Sequence, residues 1–185
     1  MKHTQLTTLI VLIAGLASCT TVNGRKAQIG AGFEAGSDFD ASSGTITHVE
    51  AEFALNEHVT VAGRLMHYAY QWSEEESYYY GEEEEGSGVG LAAEFRYYPK
   101  HAYEAFYLGV GLGIFPITEW ESTQNGHVTD RGDEMAFAAY GSMGYAIPIA
   151  QNITLTPTLI LGSYESDSPE SGVYGGIGLR LAFGF

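Results

Sequence analysis

The chain has 185 residues and is strongly acidic, with 23 Asp and Glu against 8 Lys and Arg, a balance that argues against nucleic acid as a partner. One cysteine rules out an internal disulfide framework. Tyrosine (13) and glycine (24) are abundant and proline (5) is scarce, the composition of strands that cross a membrane rather than of apolar helices.

Met1-Lys2-His3 is a minimal basic start, and Leu6 to Ala17 is an apolar stretch too short for a spanning helix, which needs about 20 residues. Residues 1–18 are therefore expected to be a signal peptide. Leu16-Ala17-Ser18-Cys19 resembles the bacterial lipobox, which implies Cys19 as the lipidated first residue of the mature chain. Ordinary signal-peptide cleavage nearby, with Cys19 incidental, is the alternative. Residues 19–26 follow as a short periplasmic linker, and 27–185 as one barrel domain.

Period-two alternation bounded by turn residues predicts eight strands: Ala27–Gly36, Thr45–Leu55, Val59–Tyr70, Gly88–Tyr98, Ala105–Phe115, Met135–Ile147, Ile153–Ser163 and Val173–Phe185. Each is close to the ~9–11 residues with which a tilted strand crosses a bilayer. Asn56-Glu57-His58, Pro99 to Glu104 and Pro148 to Asn152 read as short turns; Gln71 to Ser87 and Pro116 to Glu134 read as long loops. Short turns on one side and long loops on the other are the two ends of an outer-membrane barrel, and they place both chain ends on the periplasmic side. Pro157 removes a ladder donor and is expected to weaken pairing in strand seven.

One register puts Ile29, Phe33, Val49, Phe53, Leu91, Phe95, Leu108, Val110, Leu112, Phe137 and Met143 on a face for lipid. The other face holds Glu34, His48, Glu50, Glu52, Arg64, Glu94, Arg96 and Arg180, with many glycines, and should line the lumen. Four Glu against three Arg plus His48 nearly balance. Glu50 and Arg64 come at similar height on adjacent strands with Glu94 next along, and closure of the barrel lets Arg180 approach Glu34. Buried charges are tolerated when paired, so an ion-pair network plugging the interior is the expectation and an ion or proton pathway the alternative. Aromatics near the strand ends are expected to sit at the membrane interfaces: Tyr97, Tyr98, Tyr103, Tyr107, Tyr145 and Phe185 below, Tyr68, Tyr70, Trp72, Phe115 and Trp120 above.

The chain ends with Ile177, Leu179, Leu181, Phe183 and Phe185 alternating with small residues and Arg180, and this final strand resembles the C-terminal assembly signal of bacterial outer-membrane barrels. With Glu94-Phe95-Arg96-Tyr97-Tyr98-Pro99-Lys100 and Tyr107-Leu108-Gly109-Val110-Gly111, the chain is similar along nearly its whole length to the eight-stranded small barrels of the OmpA transmembrane-domain and OmpX type. The resemblance implies an all-β, eight-stranded, antiparallel up-and-down transmembrane barrel in the bacterial outer membrane. It implies outer-membrane lipid, lipopolysaccharide and the barrel assembly machinery as partners. That family spans structural barrels, adhesins and lipid-modifying enzymes, so fold alone does not select a function.

The remaining acid falls in predicted loops, including Glu74-Glu75-Glu76, Glu82 to Glu85, Glu119, Glu121, Asp130, Asp133, Glu134, Glu165, Asp167 and Glu170. Solvated loops are the plain reading, weak binding of divalent cations the functional one. No cofactor is expected. Arg131-Gly132-Asp133 matches an adhesion tripeptide that chance often supplies. For a lipid A acylase or deacylase, His67 is the one plausible base on the lipid-facing register, and Ser163 stands far around the barrel from it. A structural or surface-interaction role is therefore the leading expectation, ahead of a lipid-modifying enzyme and a narrow ion-conducting barrel.

Overall fold

The computed structural model describes residues 25–38, 43–74, 82–124, 127–166 and 171–185. Their elements are eight strands: β1 (Ala27–Asp38), β2 (Ser43–Ala54), β3 (Val59–Glu74), β4 (Glu82–Tyr97), β5 (Ala105–Gln124), β6 (His127–Ala150), β7 (Ile153–Ser166) and β8 (Ser171–Gly184). Each pairs antiparallel with the next, and β8 pairs with β1 from Gln28↔Gly184 to Asp38↔Tyr174, closing a barrel. Closure leaves no strand edge with unpaired backbone groups. The seam is tied to its last residue: Lys26 N–H donates to the Phe185 carbonyl at 2.8 Å, and Phe185 N–H to the Ala27 carbonyl at 3.0 Å. Lys26, read as linker, thus belongs to the barrel rim.

Side chains alternate across this wall because successive Cβ atoms point to opposite faces. The outer face carries apolar residues from every strand, with Leu112 69% and Ile177 68% exposed, and Leu179, Leu181, Phe183 and Phe185 each exposed by about half. A surface this apolar does not face water in a monomeric soluble protein. Tyr97 and Tyr145 also point outward near the short-turn end, as an interface belt requires.

The structure corrects several strand ends. β3 runs to Glu74 and β4 starts at Glu82, inside the predicted loop at 71–87. β5 and β6 continue through most of 116–134, so the longest predicted loop is mainly strand, and β5 pairs there with β4 as well as with β6. Apolar alternation stops short of these strand ends, but a ladder needs only backbone partners. Pro116 lies where β5 slips register against both neighbours, between Phe115 and Thr118 on the β6 side; a bulge accommodates its missing N–H. At 24 residues, β6 is roughly 80 Å long at ~3.3 Å per residue, far more than a crossing needs.

Four aromatics expected at the interfaces are buried inside instead, and Tyr68 packs half-buried against one of their clusters. Phe115 packs with Met66, Tyr140 and Ile160 in the long-loop half of the lumen, meeting Tyr68 edge-on at 4.7 Å. Tyr98, Tyr103 and Tyr107 form a second buried cluster with Ala54 and Ala102 at the opposite end. The 98–104 turn folds across that mouth, with Ala102 N–H bonded to the Glu57 carbonyl at 2.8 Å and Tyr103 OH to the Lys26 carbonyl at 3.2 Å. Tyr103 and Ala105 adopt left-handed φ values of 67° and 58°, strain that non-glycine residues accept only where packing holds them.

Pro157 sits on the lipid-type face of β7, opposite Leu179. The β6–β7 pairing passes from Gly144↔Thr158 to Ile147↔Leu155 in unchanged register, with the pairs at Pro157 and Thr156 missing on that side while the strand itself continues. Cys19, residues 1–24, Glu75 to Gly81 and Asp167 to Glu170 lie outside the described residues.

If the outer face meets lipid, Ile177→Arg near the middle of β8 should destabilise the barrel by about 2–4 kcal/mol. Urea unfolding from lipid vesicles measures it, and an unchanged midpoint would contradict a lipid-facing position.

Candidate functional site

Between the two aromatic clusters lies a layer of charge. Among the described residues, the buried Glu, Arg and His side chains are Glu34, His48, Glu50, Glu52, Arg64, Glu94, Arg96 and Arg180, all 6% exposed or less. They come from five strands. Strand alternation aims each inward, and antiparallel register sets their heights: Glu50 stands directly opposite Arg64, while Arg96 stands opposite Thr60 and Gly109.

Glu50 is the hub. It accepts from Arg64 Nε at 3.1 Å, from Arg96 Nη2 at 2.8 Å and Nη1 at 3.0 Å, and from Arg180 Nη1. Glu52 accepts from Arg96 Nη1 at 2.6 Å and Arg180 Nη1 at 2.7 Å, and its other oxygen from Thr60 Oγ1 at 2.6 Å and Tyr98 OH at 2.8 Å. Glu94 pairs with Arg64 Nη2 at 2.7 Å and Arg96 Nε at 3.0 Å, and Ser142 Oγ donates to it at 2.6 Å. Charge-assisted bonds of this length are about twice as strong as neutral ones. The guanidiniums also lie over rings, Arg96 over Tyr107 at 5.1 Å and Arg64 over Tyr140 at 5.8 Å.

Arg180 does not reach Glu34, contrary to the sequence expectation; its ion pairs are with Glu50 and Glu52, two strands away. The reason is the inner face of β1. Gly30 stands opposite Glu50, and Gly32 opposite both His48 and Arg180, so no β1 side chain blocks the path from β8 to β2 at that height. Glu34 lies higher, opposite Gly178, and pairs with Arg64 at 3.4 Å. Glycines elsewhere play the same part: a Cβ on Gly111 would overlap the Tyr140 ring, and one on Gly109 would overlap Ser142 Oγ and Glu94 Oε1.

Sequence reasoning missed the polar partners. Thr60, Thr156, Tyr98 and Ser142 donate or accept within the network, as above and through Arg180 Nη2 to Thr156 Oγ1 at 3.3 Å. Their inward parity was readable, their roles were not. Arg25, assigned to the linker, donates to Thr154 Oγ1 at 3.2 Å and to the Gln151 carbonyl at the short-turn rim.

The residues considered for an enzyme do not meet. His67 on β3 and Ser163 on β7 are both exposed and three strands separate theirs. Nor do the described residues include three or more His, Cys, Asp or Glu side chains grouped to hold a metal ion. The long-loop ribbons are acidic, with Glu83, Glu85 and Glu121 exposed and Glu85 directly opposite Glu121.

No family model and no curated protein matches the chain. Among solved structures it is similar to Neisserial surface protein A, at 11% identity over 86% of this chain and 96% of that one, with a TM-score of 0.48. It is similar to the N-terminal β-barrel domain of OprF from Pseudomonas aeruginosa, at 16% identity, 87% and 98% coverage and a TM-score of 0.49. The attachment invasion locus protein Ail of Yersinia pestis gives 13%, 86% and 97%, and 0.48.

Arg96 serves three carboxylates at once, so Arg96→Ala should cost about 3–5 kcal/mol, the loss typical of breaking a buried pair. Unfolding of the folded barrel in lipid vesicles reads this, and a variant as stable as wild type would remove the network from the stability of the fold.

Proposed function

We propose that the chain is an integral outer-membrane barrel with a structural or surface-interaction role, its lumen closed to ions and its acidic ribbons presented outside the cell. Eight-stranded antiparallel barrels with an apolar exterior are an architecture of the bacterial outer membrane. The short-turn end then faces the periplasm, and the ribbons of β3 to β6 stand beyond the outer leaflet.

The observation that carries the reading is the filled cross-section. An eight-stranded barrel has an interior just wide enough for side chains, and here three successive layers occupy it: Phe115 with Met66 and Tyr140 above, the paired charges at mid-height, and Tyr98, Tyr103 and Tyr107 below. A permeating ion would have to break several charge-assisted bonds that hold each other in place.

On this reading the partners met inside the envelope are outer-membrane lipid, lipopolysaccharide and the barrel assembly machinery, the last engaging the terminal strand at Ile177 to Phe185. Lipidation at Cys19 would add a second anchor to a barrel already held by eight strands. Divalent cations or a basic surface are the chemistry suited to the exposed carboxylates of the ribbons.

Planar-bilayer recording tests the closed lumen. Wild-type protein should show no steady conductance, whereas a sustained large conductance would replace the plug with a pore.

A further inference from the structure

The network is one positive charge short. Four buried carboxylates, Glu34, Glu50, Glu52 and Glu94, face three guanidiniums, Arg64, Arg96 and Arg180. An uncompensated charge in such an interior is strongly disfavoured.

The shortfall is localised. Glu50, Glu52 and Glu94 each accept from two or more arginine side chains, whereas Glu34 is met by Arg64 alone at 3.4 Å, the longest arginine–carboxylate ion pair of the cluster. Beside Glu34 stands His48, 5% exposed, its ring lying where a Cβ on Gly32 would be. His48 Nδ1 is 3.7 Å from Glu34 Oε1, Nε2 is 3.9 Å from Glu50 Oε2, and neither nitrogen has a hydrogen-bond partner. A neutral imidazole turns a lone pair toward one of these carboxylates; an imidazolium offers an N–H to both.

We propose that Glu34 and His48 together bind one exchangeable proton inside the barrel, which supplies the fourth positive charge of the luminal network.

The groups around the pair explain why it acts as a unit. His48 is faced by Glu50 on its own strand, Arg64 of β3, Arg96 of β4 and Arg180 of β8; Glu34 by Glu50, Arg64, Glu94 and Arg96, with Tyr174 of β8 beside it. With Nδ1 of the ring 3.7 Å from Glu34 Oε1 and unpartnered, one proton fits between the two, and the pair then titrates as a unit. Above the free imidazole range the unfolded chain holds no proton on either residue, while the folded chain holds one. Folding then takes up a proton, and the folding equilibrium constant falls by up to tenfold per pH unit as pH rises, until the folded pair releases it. The inference rests on the luminal network that also closes the pore, but conductance reads the plug and proton linkage reads the pair, so the two fail separately.

The test is urea unfolding of the full chain in lipid vesicles from about pH 7 to about pH 9, above the free imidazole range. Glu34→Gln leaves three carboxylates against three guanidiniums and should lose up to tenfold per pH unit of the wild-type slope; His48→Gln removes the second holder of the proton, so the slope should end at lower pH than in wild type, and an unchanged profile would remove His48 from the site. Equal slopes for wild type and Glu34→Gln overturn the proposal. Should the variants fail to fold, NMR of the Glu34 carboxyl and His48 ring carbons in folded wild type decides it. One proton on the pair at neutral pH supports the site, and an ionised Glu34 beside a neutral His48 overturns it.

Discussion

Along most of this barrel wall the outer face is apolar and the inner face carries buried charge, and most of the structure follows from that constraint. Outside, lipid offers no hydrogen bonds, so backbone polar groups must be satisfied by closure, and the seam between β1 and β8 is bonded through Phe185. Inside, the bore is narrow and the charged side chains are almost fully buried. The carboxylates and guanidiniums are kept there because each lies against at least one partner of the other kind.

That solution depends on residues with no side chain as much as on the charged ones. Gly30 and Gly32 clear the inner face of β1 so that Arg180 reaches Glu50 and Glu52 on β2. Gly109, Gly111 and Gly144 make the same room for Glu94, Tyr140 and Tyr107. Buried ion pairs contribute less net stability than their number suggests, because desolvation offsets most of the attraction. Their stronger effect is on specificity: a strand slipped by one residue would turn its charges into lipid. The network thus fixes register around the barrel while the aromatic layers fill the bore above and below it.

Much of this was legible in the sequence. Period-two alternation located all eight strands, and parity alone sorted Glu34, His48, Glu50, Glu52, Arg64, Glu94, Arg96 and Arg180 to one face. Strand ends were less legible, because β5 and β6 continue as a polar ribbon in which hydrophobicity no longer marks the strand and Pro116 imitates a stop. Phe115, Tyr98, Tyr103 and Tyr107 were read by residue type as interface aromatics; inward parity for Phe115, Tyr98 and Tyr107, and a strained turn for Tyr103, place them inside. The choice of Glu50 over Glu34 by Arg180 was not legible at all. It depends on how far a side chain reaches across a neighbouring strand, which pattern along one strand does not encode.

The contact between Arg180 and Glu50 therefore tests the account most directly, since it spans the closing seam and joins strands that do not pair. A double-mutant cycle of Arg180→Ala and Glu50→Ala, read by unfolding in lipid vesicles, should give a coupling energy of about 1–3 kcal/mol, as for directly interacting residues. Effects that simply add, within about 0.5 kcal/mol, would show that the two residues do not meet and that the lumen is not held together as described.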